Sequence, residues 1–376
     1  MKSLWPIVTF TALLVLSGCH TIKEETVNTQ ATQSFYLGTY TADASKSQGI
    51  YKYELHPNGN VKQVGLAVMS ENPSYLALST DKKFLVAINE VKNDENVGTV
   101  ESYMVFEDTL ILLNRQSSGG AHPCFVNINQ EGYVLAANYT GGNVGLLKLE
   151  ADGPLTELLD VQQHTGKGIT DRQEAPHAHS VWFNPVDCGI ISIDLGTNEL
   201  WFSSIDPGGQ KLIPASPEKL ALNPGDGPRH LTFHPNGKWL YVANELGSSV
   251  TRVDRNEDGS YSIGPTVSSL PVGYIESNTC ADIHISSDGK FVYASNRGHN
   301  SIAVLKVNDD GSLKLLGNKG CGGEGPRNFA LSPDENYILV ANQHTNNIVT
   351  LKRDQITGLL KYVSQAEAPT PVCILF

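Results

Sequence analysis

Gly227-Pro228-Arg229-His230-Leu231-Thr232-Phe233-His234-Pro235-Asn236-Gly237-Lys238-Trp239-Leu240-Tyr241-Val242-Ala243-Asn244-Glu245 sets two short runs of β-branched and aromatic residues on either side of an Asn-Gly turn. That pattern is a hairpin of two buried strands. The phrase recurs. Its nearest copy is residues 325–343, and weaker copies occupy residues 74–90, 123–139, 178–195 and 280–297. Aligned on the polar residue near the end, they give Asn89, Asn138, Asp194, Asn244, Asn296 and Asn342, with Thr39 as a degenerate first member. The spacings are 50, 49, 56, 50, 52 and 46 residues. A period of that length, built from short strands and turns with no helical period, predicts an all-β propeller with four strands per blade. Seven anchors predict seven blades.

Within one repeat the predicted strands are A (229–233), B (239–244), C (250–254) and D (261–267). Tight turns separate A from B at Asn236-Gly237 and Asp288-Gly289, and C from D at Asn58-Gly59, Asp152-Gly153, Asp258-Gly259 and Asp310-Gly311. The chain ends on Pro371-Val372-Cys373-Ile374-Leu375-Phe376, a strand A with no strand B after it, whereas the first repeat opens on a strand B at 35–40. The C-terminal strand is therefore expected to complete the first blade and leave the ring without a free edge. Two separate β-sandwiches would not carry one period across the middle of the chain.

The N-terminus has another purpose. Lys2 precedes an apolar run from Leu4 to Leu16 that is too short for a mature membrane span. Leu16-Ser17-Gly18-Cys19 resembles the bacterial lipobox, in which the cysteine is acylated and becomes the new N-terminus. The expected organisation is a signal peptide (1–18), a polar tether from lipidated Cys19 (19–33) and one propeller domain (34–376). Such a protein is exported and anchored by lipid, and His20 after the cysteine favours the outer membrane. The formal net charge is −12, and loss of Lys2 makes the mature chain more negative still. An acidic surface argues against nucleic acid as a partner, and leaves the lipid as the only membrane contact. The remaining five cysteines include no C-x-x-C pair, so neither a zinc site nor a disulfide framework is legible.

Repeat geometry places a site. The start of strand A and the end of strand B lie at the same rim, facing the mouth of the central channel. The A-strand equivalents are Ser74, Pro123, His179, Arg229, Ala281, Arg327 and Val372, and the residues past strand B are Tyr40, Glu90, Tyr139, Leu195, Glu245, Arg297 and Gln343. One rim thus collects His179, Arg229, Arg297, Arg327, Glu90, Glu245 and Tyr139, and the longest connections, 162–177 and 266–279, open onto it. Three converging guanidinium groups in an acidic protein suit a carboxylate or phosphate, to which they donate in parallel pairs. Each residue also has a scaffold role to weigh. The arginines and glutamates could pair with one another, and His179 could be satisfied by loop carbonyls. His177 and His179, two apart in the sequence, are expected to face opposite ways and so not to share a metal. No metal or cofactor is expected.

These residues resemble the seven-bladed propeller lactonases, typified by bacterial 6-phosphogluconolactonase and fungal 3-carboxy-cis,cis-muconate lactonizing enzyme. The resemblance covers residues 34–376, most specifically His179-Ser180, Gly227 to Glu245, Ala281 to Arg297 and Gly325-Pro326-Arg327. It implies that His179, Arg229, Glu245 and Arg297 are the catalytic set, with a small-molecule lactone as substrate. Water would lose a proton to Glu245 or His179 while Arg229 and Arg297 stabilise the oxyanion. Arg327, Glu90 and Tyr139 would bind substrate. The alternatives are a non-catalytic envelope propeller holding a glycan or protein on an aromatic rim, and a redox propeller, which the lack of a C-x-x-C-H motif disfavours.

Overall fold

The computed structural model describes residue 1, residues 31–42 and residues 45–376. The signal segment, Cys19 and the tether as far as residue 30 lie outside the described residues. Seven antiparallel sheets of four strands each make up the described fold, and the sole helical element among the described residues is a single 3₁₀ turn, Asp171–Gln173. The strands of the fifth blade run Pro228–Phe233, Trp239–Asn244, Ser249–Arg255 and Tyr261–Ser268, each end within one residue of the sequence expectation.

Strand A of each blade is innermost and packs against strand A of the blades on either side, closing a ring. Strand B has a neighbouring blade on both of its faces. Its apolar residues therefore run without alternation, as Leu240, Tyr241, Val242 and Ala243 do, all of them buried. Strand D is the outer edge and is largely exposed, as in Leu212–Ala221. The tyrosine of strand B also ties blade to blade. Tyr241 donates to the Gly311 carbonyl, Tyr293 to Gly358 and Tyr337 to Pro57, each at 2.9 Å and each into the C–D turn of the next blade. Gly311 takes φ +79°, and a Cβ there would stand 2.5 Å from the Trp239 ring, so both the turn and the inter-blade packing require glycine.

The ring closes as the ends of the sequence predict. Pro371–Leu375 pairs with Gln33–Thr39, joining Tyr36 to Leu375 and Leu37 to Ile374, and buries Val372, Cys373 and Ile374. Deleting residues 370–376 exposes the edge of the first blade and removes apolar burial of about 1.5–3 kcal/mol per large side chain. The truncated chain should melt at least several degrees lower or fail to accumulate. An unchanged melting temperature would mean that the ring closes some other way.

Six of the seven inner strands share a departure from regular pairing. A bulge near the start of strand A leaves one residue unpaired with strand B: Cys124 between Pro123 and Phe125, His179 between Ala178 and Ser180, Arg229 between Pro228 and His230, and Arg327 between Pro326 and Asn328. In the closing strand Val372 is left out between Pro371 and Cys373, and the sixth bulge falls between Cys280 and Ile283. A bulge re-aims a side chain, and Cys124, His179 and Arg327 enter the cleft at the mouth of the channel.

Candidate active site

The bulged residues and the residues just past strand B meet in a cleft of about 290 Å³, lined by Tyr40, Glu90, Cys124, Tyr139, Arg172, His179, Glu245, Thr279, Arg297 and Arg327. Six of the seven rim residues expected from the repeat line it. Arg229, the seventh, lies directly behind Glu245 with only 3% of its side chain exposed.

Glu245 is the hub. Its Oε2 lies 2.8 Å from Arg297 Nη2 and 3.1 Å from Arg229 Nε, while Oε1 accepts from Arg172 Nη2 at 3.1 Å. Burial alone would push its carboxyl up. The guanidinium groups of Arg297, Arg229 and Arg172 outweigh burial and hold it at about 2. Arg229 is further fixed by donation from Nη1 to the Ala281 carbonyl at 2.6 Å. Its own burial lowers it to about 10, so it remains charged at neutral pH.

His179 faces the hub, with Nε2 3.8 Å from Glu245 Oε2. Burial first, and then the positive charge of Arg229, hold its conjugate acid well below the usual imidazole range, so the ring is neutral at neutral pH. Its other nitrogen, Nδ1, lies 3.6 Å from the Cys124 thiol. The repeat register puts Pro123 in the expected ring, one position before Cys124. The bulges show that Pro123 matches Pro228 and Pro326, and that Cys124 is the true equivalent of Arg229. The recurring Pro-X pair was the signal for it.

The expected divergence of His177 and His179 does not occur. Alternation along an extended segment puts residues two apart on the same face, and both rings contact Tyr139: His177 stacks on it at 4.5 Å, and His179 meets it edge-on at 5.3 Å.

Arg172 is the functional-site residue that the repeat could not supply, since it sits on the 3₁₀ turn of the 162–177 loop, outside any strand register. The anchor residue Asp194 ties both ends of that loop. Its Oδ2 pairs with His164 Nδ1 at 2.8 Å, and its Oδ1 accepts from the His177 backbone N–H at 2.8 Å. Gln173 adds a bond to the Leu195 carbonyl at 2.9 Å. Thus held, the loop extends Arg172 to Glu245 and to the Tyr139 hydroxyl, 3.0 Å away.

The opposite wall is simpler. Arg327 lies over the Tyr40 ring at 5.3 Å and 3.7 Å from Glu90, whose Oε2 also accepts from the hydroxyls of Tyr40 at 2.8 Å and Ser74 at 2.5 Å. Each rim tyrosine thus has one ring face covered, Tyr40 by Arg327 and Tyr139 by His177.

The profile of the family described as "Lactonase, 7-bladed beta-propeller" matches residues 34–376. The chain belongs to that family. The 6-phosphogluconolactonase of Bacillus subtilis is 35% identical over 348 residues, covering 91% of this chain and 97% of its own. That of Formosa agariphila is 33% identical over 339 residues, covering 88% and 95%. Among solved structures, the periplasmic gluconolactonase of Pseudomonas aeruginosa superposes with a TM-score of 0.86 at 29% identity, covering 92% of this chain and 98% of that one.

A larger cleft, about 680 Å³, lies away from the ring mouth and includes Tyr133, Cys188, Phe202, Ser203 and Tyr261 in its lining. Its charged lining residues are Glu131, Asp187, Asp206 and Asp258, with no histidine, arginine or lysine, so it lacks the cationic, anion-binding groups that the smaller cleft concentrates.

Proposed function

We propose that this chain hydrolyses an aldonolactone bearing an anionic group, at the cleft around His179 and Glu245. The observation that carries this reading is a neutral histidine set among a surplus of fixed positive charge. Arg172, Arg229, Arg297 and Arg327 face two carboxylates, Glu90 and Glu245, leaving a formal excess of two positive charges at the ring mouth. An anionic substrate would balance it.

The chemistry follows from which groups are free to act. Glu245, held ionised at about 2 by three guanidinium groups, is a weak proton acceptor. With Glu245 committed to three guanidinium groups, the base role falls to His179, the neutral group facing the cleft. It takes a proton from water as the water oxygen bonds to the lactone carbonyl carbon, and Glu245, 3.8 Å away, stabilises the imidazolium that results. Arg297 and Arg172, exposed to the cleft, donate to the developing oxyanion. Collapse of the tetrahedral intermediate breaks the bond to the ring oxygen, which takes the proton back from His179 and leaves as a hydroxyl. Arg229 acts from behind by holding Glu245, and Arg327 anchors the anionic group of the substrate.

The test is a comparison of phosphorylated, carboxylated and neutral aldonolactones. The anionic compounds should have a lower KM, and Arg327→Met should raise KM for them while leaving neutral lactones unaffected. Equal KM values across the panel would remove the anionic requirement.

We also propose that the protein acts outside the inner membrane, as a lipoprotein anchored through Cys19. The lipobox and the name of the periplasmic Pseudomonas relative support this. Cys19→Ser should abolish lipid labelling and shift the protein out of the membrane fraction. Unchanged labelling and fractionation would contradict it.

A further inference from the structure

One layer below the bulged residues, the channel holds a buried polar network that the mechanism above does not use. His230, the residue after Arg229, points its Nδ1 at Asp282 Oδ1, 2.8 Å away on the next inner strand, and its Nε2 at Arg229 Nη1, 3.2 Å away. Asp282 Oδ1 also accepts from the Ile283 backbone N–H at 3.0 Å, and its Oδ2 accepts from Asn328 Nδ2 at 2.6 Å. The same Oδ2 lies 3.0 Å from His284 Nε2. Asn328 in turn accepts from the Ile374 backbone N–H at 2.7 Å, so the network links the inner strands of the fifth, sixth and seventh blades to the strand that closes the ring. His230, Asp282 and Asn328 are all buried.

The donor inventory fixes the direction of each bond. A guanidinium group only donates, so His230 Nε2 must be the acceptor, and a neutral ring must then carry its proton on Nδ1 and give it to Asp282. We infer that His230 and Asp282 are positioning residues, which lock Arg229 from below and through it set Glu245 against His179. This rests on the proposed reading of the cleft. Arg229 is thus held on three sides, by the Ala281 carbonyl, by His230 and by Glu245. Burying this many charges costs stability unless every partner is in place, so a network at this depth is poorly explained as a stabilising device alone.

A pH signature follows. The charged and titratable groups near His230 are Arg229 and Asp282 in contact, His284 beyond Asp282, His179 with its ring 5.5 Å away and Tyr75 with its ring 5.9 Å away. Burial and then the Arg229 charge lower His230 to about 4, against the opposing pull of Asp282. Protonation would place a second donor on Nε2, facing Arg229 Nη1, and break the contact. The acid limb of kcat should therefore fall near pH 4.

The experiment compares two amides. In His230→Asn, a donor to Asp282 remains but Arg229 loses its acceptor. In His230→Gln, the amide oxygen stands near the position of Nε2. The first should lower kcat by between about tenfold and about a hundredfold with KM little changed, and the second should recover most of that loss. Asn and Gln variants that are equally impaired, or a His230→Asn enzyme with wild-type kcat and acid limb, would overturn the inference. A readout independent of activity is the ¹⁵N spectrum of the wild-type imidazole at pH 5–7, in which His230 should carry its proton on Nδ1. A proton on Nε2 would refute the Arg229 contact directly. Were the wild type to open no lactone, the proposed function would fall and take the catalytic half of this inference with it, while the spectrum would still decide the contact.

Discussion

Replacing Glu245 with glutamine should lower both stability and turnover, by about 3 kcal/mol for the loss of one member of a buried ion cluster and by on the order of 10²-fold in kcat. Arg229 and Arg297 lie within about 3 Å of the same carboxylate oxygen and Arg172 within about 3 Å of the other, and an amide of the same shape leaves their charges uncompensated. The catalytic loss has a separate origin. Without the carboxylate nothing opposes the charge that forms on His179, and Arg297 and Arg172 lose the anchor that aims them into the cleft. Arg229→Lys should behave similarly but more mildly in stability, since the lysine keeps a charge beside Glu245 and loses the fork that also reaches Ala281 and His230. Full turnover in a destabilised Glu245→Gln enzyme would reduce the cluster to scaffold. The acid dependence has a definite sign. The Glu245 carboxyl falls from an ordinary 4.5 to about 2 on folding, so its stabilisation is complete above pH 4.5 and disappears as pH falls through 2.

His179→Gln should lower kcat by about 10³-fold while leaving the melting temperature nearly unchanged, because the substitution removes a proton acceptor but no charge. The neutral ring also predicts the form of the pH profile. An unperturbed imidazole would lose its base form below pH 6.5, whereas burial and Arg229 hold the His179 conjugate acid well below that value, so turnover should persist into mildly acidic buffer. Stability should behave differently. His179 and His230 are both lowered on folding, so between pH 6.5 and about 4 the unfolded chain binds protons that the folded chain refuses, and stability should decline as pH falls through this window. A kcat that halves at pH 6.5 would mean that His179 titrates as a solvated histidine and is not the buried base described above.

Much of this was legible in the sequence because the fold is repetitive. Anchors such as Asn138 and Asn342 recur for a physical reason: each donates to the carbonyl of a D–A connection, Asn138 to Ser118 at 2.9 Å and Asn342 to Cys321 at 3.1 Å. The same register brings His179, Glu245, Arg297, Arg327, Glu90 and Tyr139 to one rim, and all six line the cleft. What it could not supply lay where strand regularity fails. Cys124 stands one position past the repeat's Pro123 because a bulge adds a residue there, whereas the joint approach of His177 and His179 to Tyr139 follows from ordinary strand alternation, which puts residues two apart on one face. Arg172 belongs to a loop with no counterpart in other blades. The burial of Arg229 behind Glu245, which moves it from oxyanion donor to support, depends on side-chain packing that no periodicity encodes.

The most direct measurement is the initial rate of proton release, followed in a pH-stat at neutral pH, when purified residues 31–376 are mixed with an anionic aldonolactone, with the His179→Gln protein run in parallel. The account predicts ring opening far above the spontaneous rate for the wild type and a rate about 10³-fold lower for the variant at equal fold content. A wild-type rate no greater than spontaneous hydrolysis across the lactone panel, or a His179→Gln protein as fast as the wild type, would contradict it.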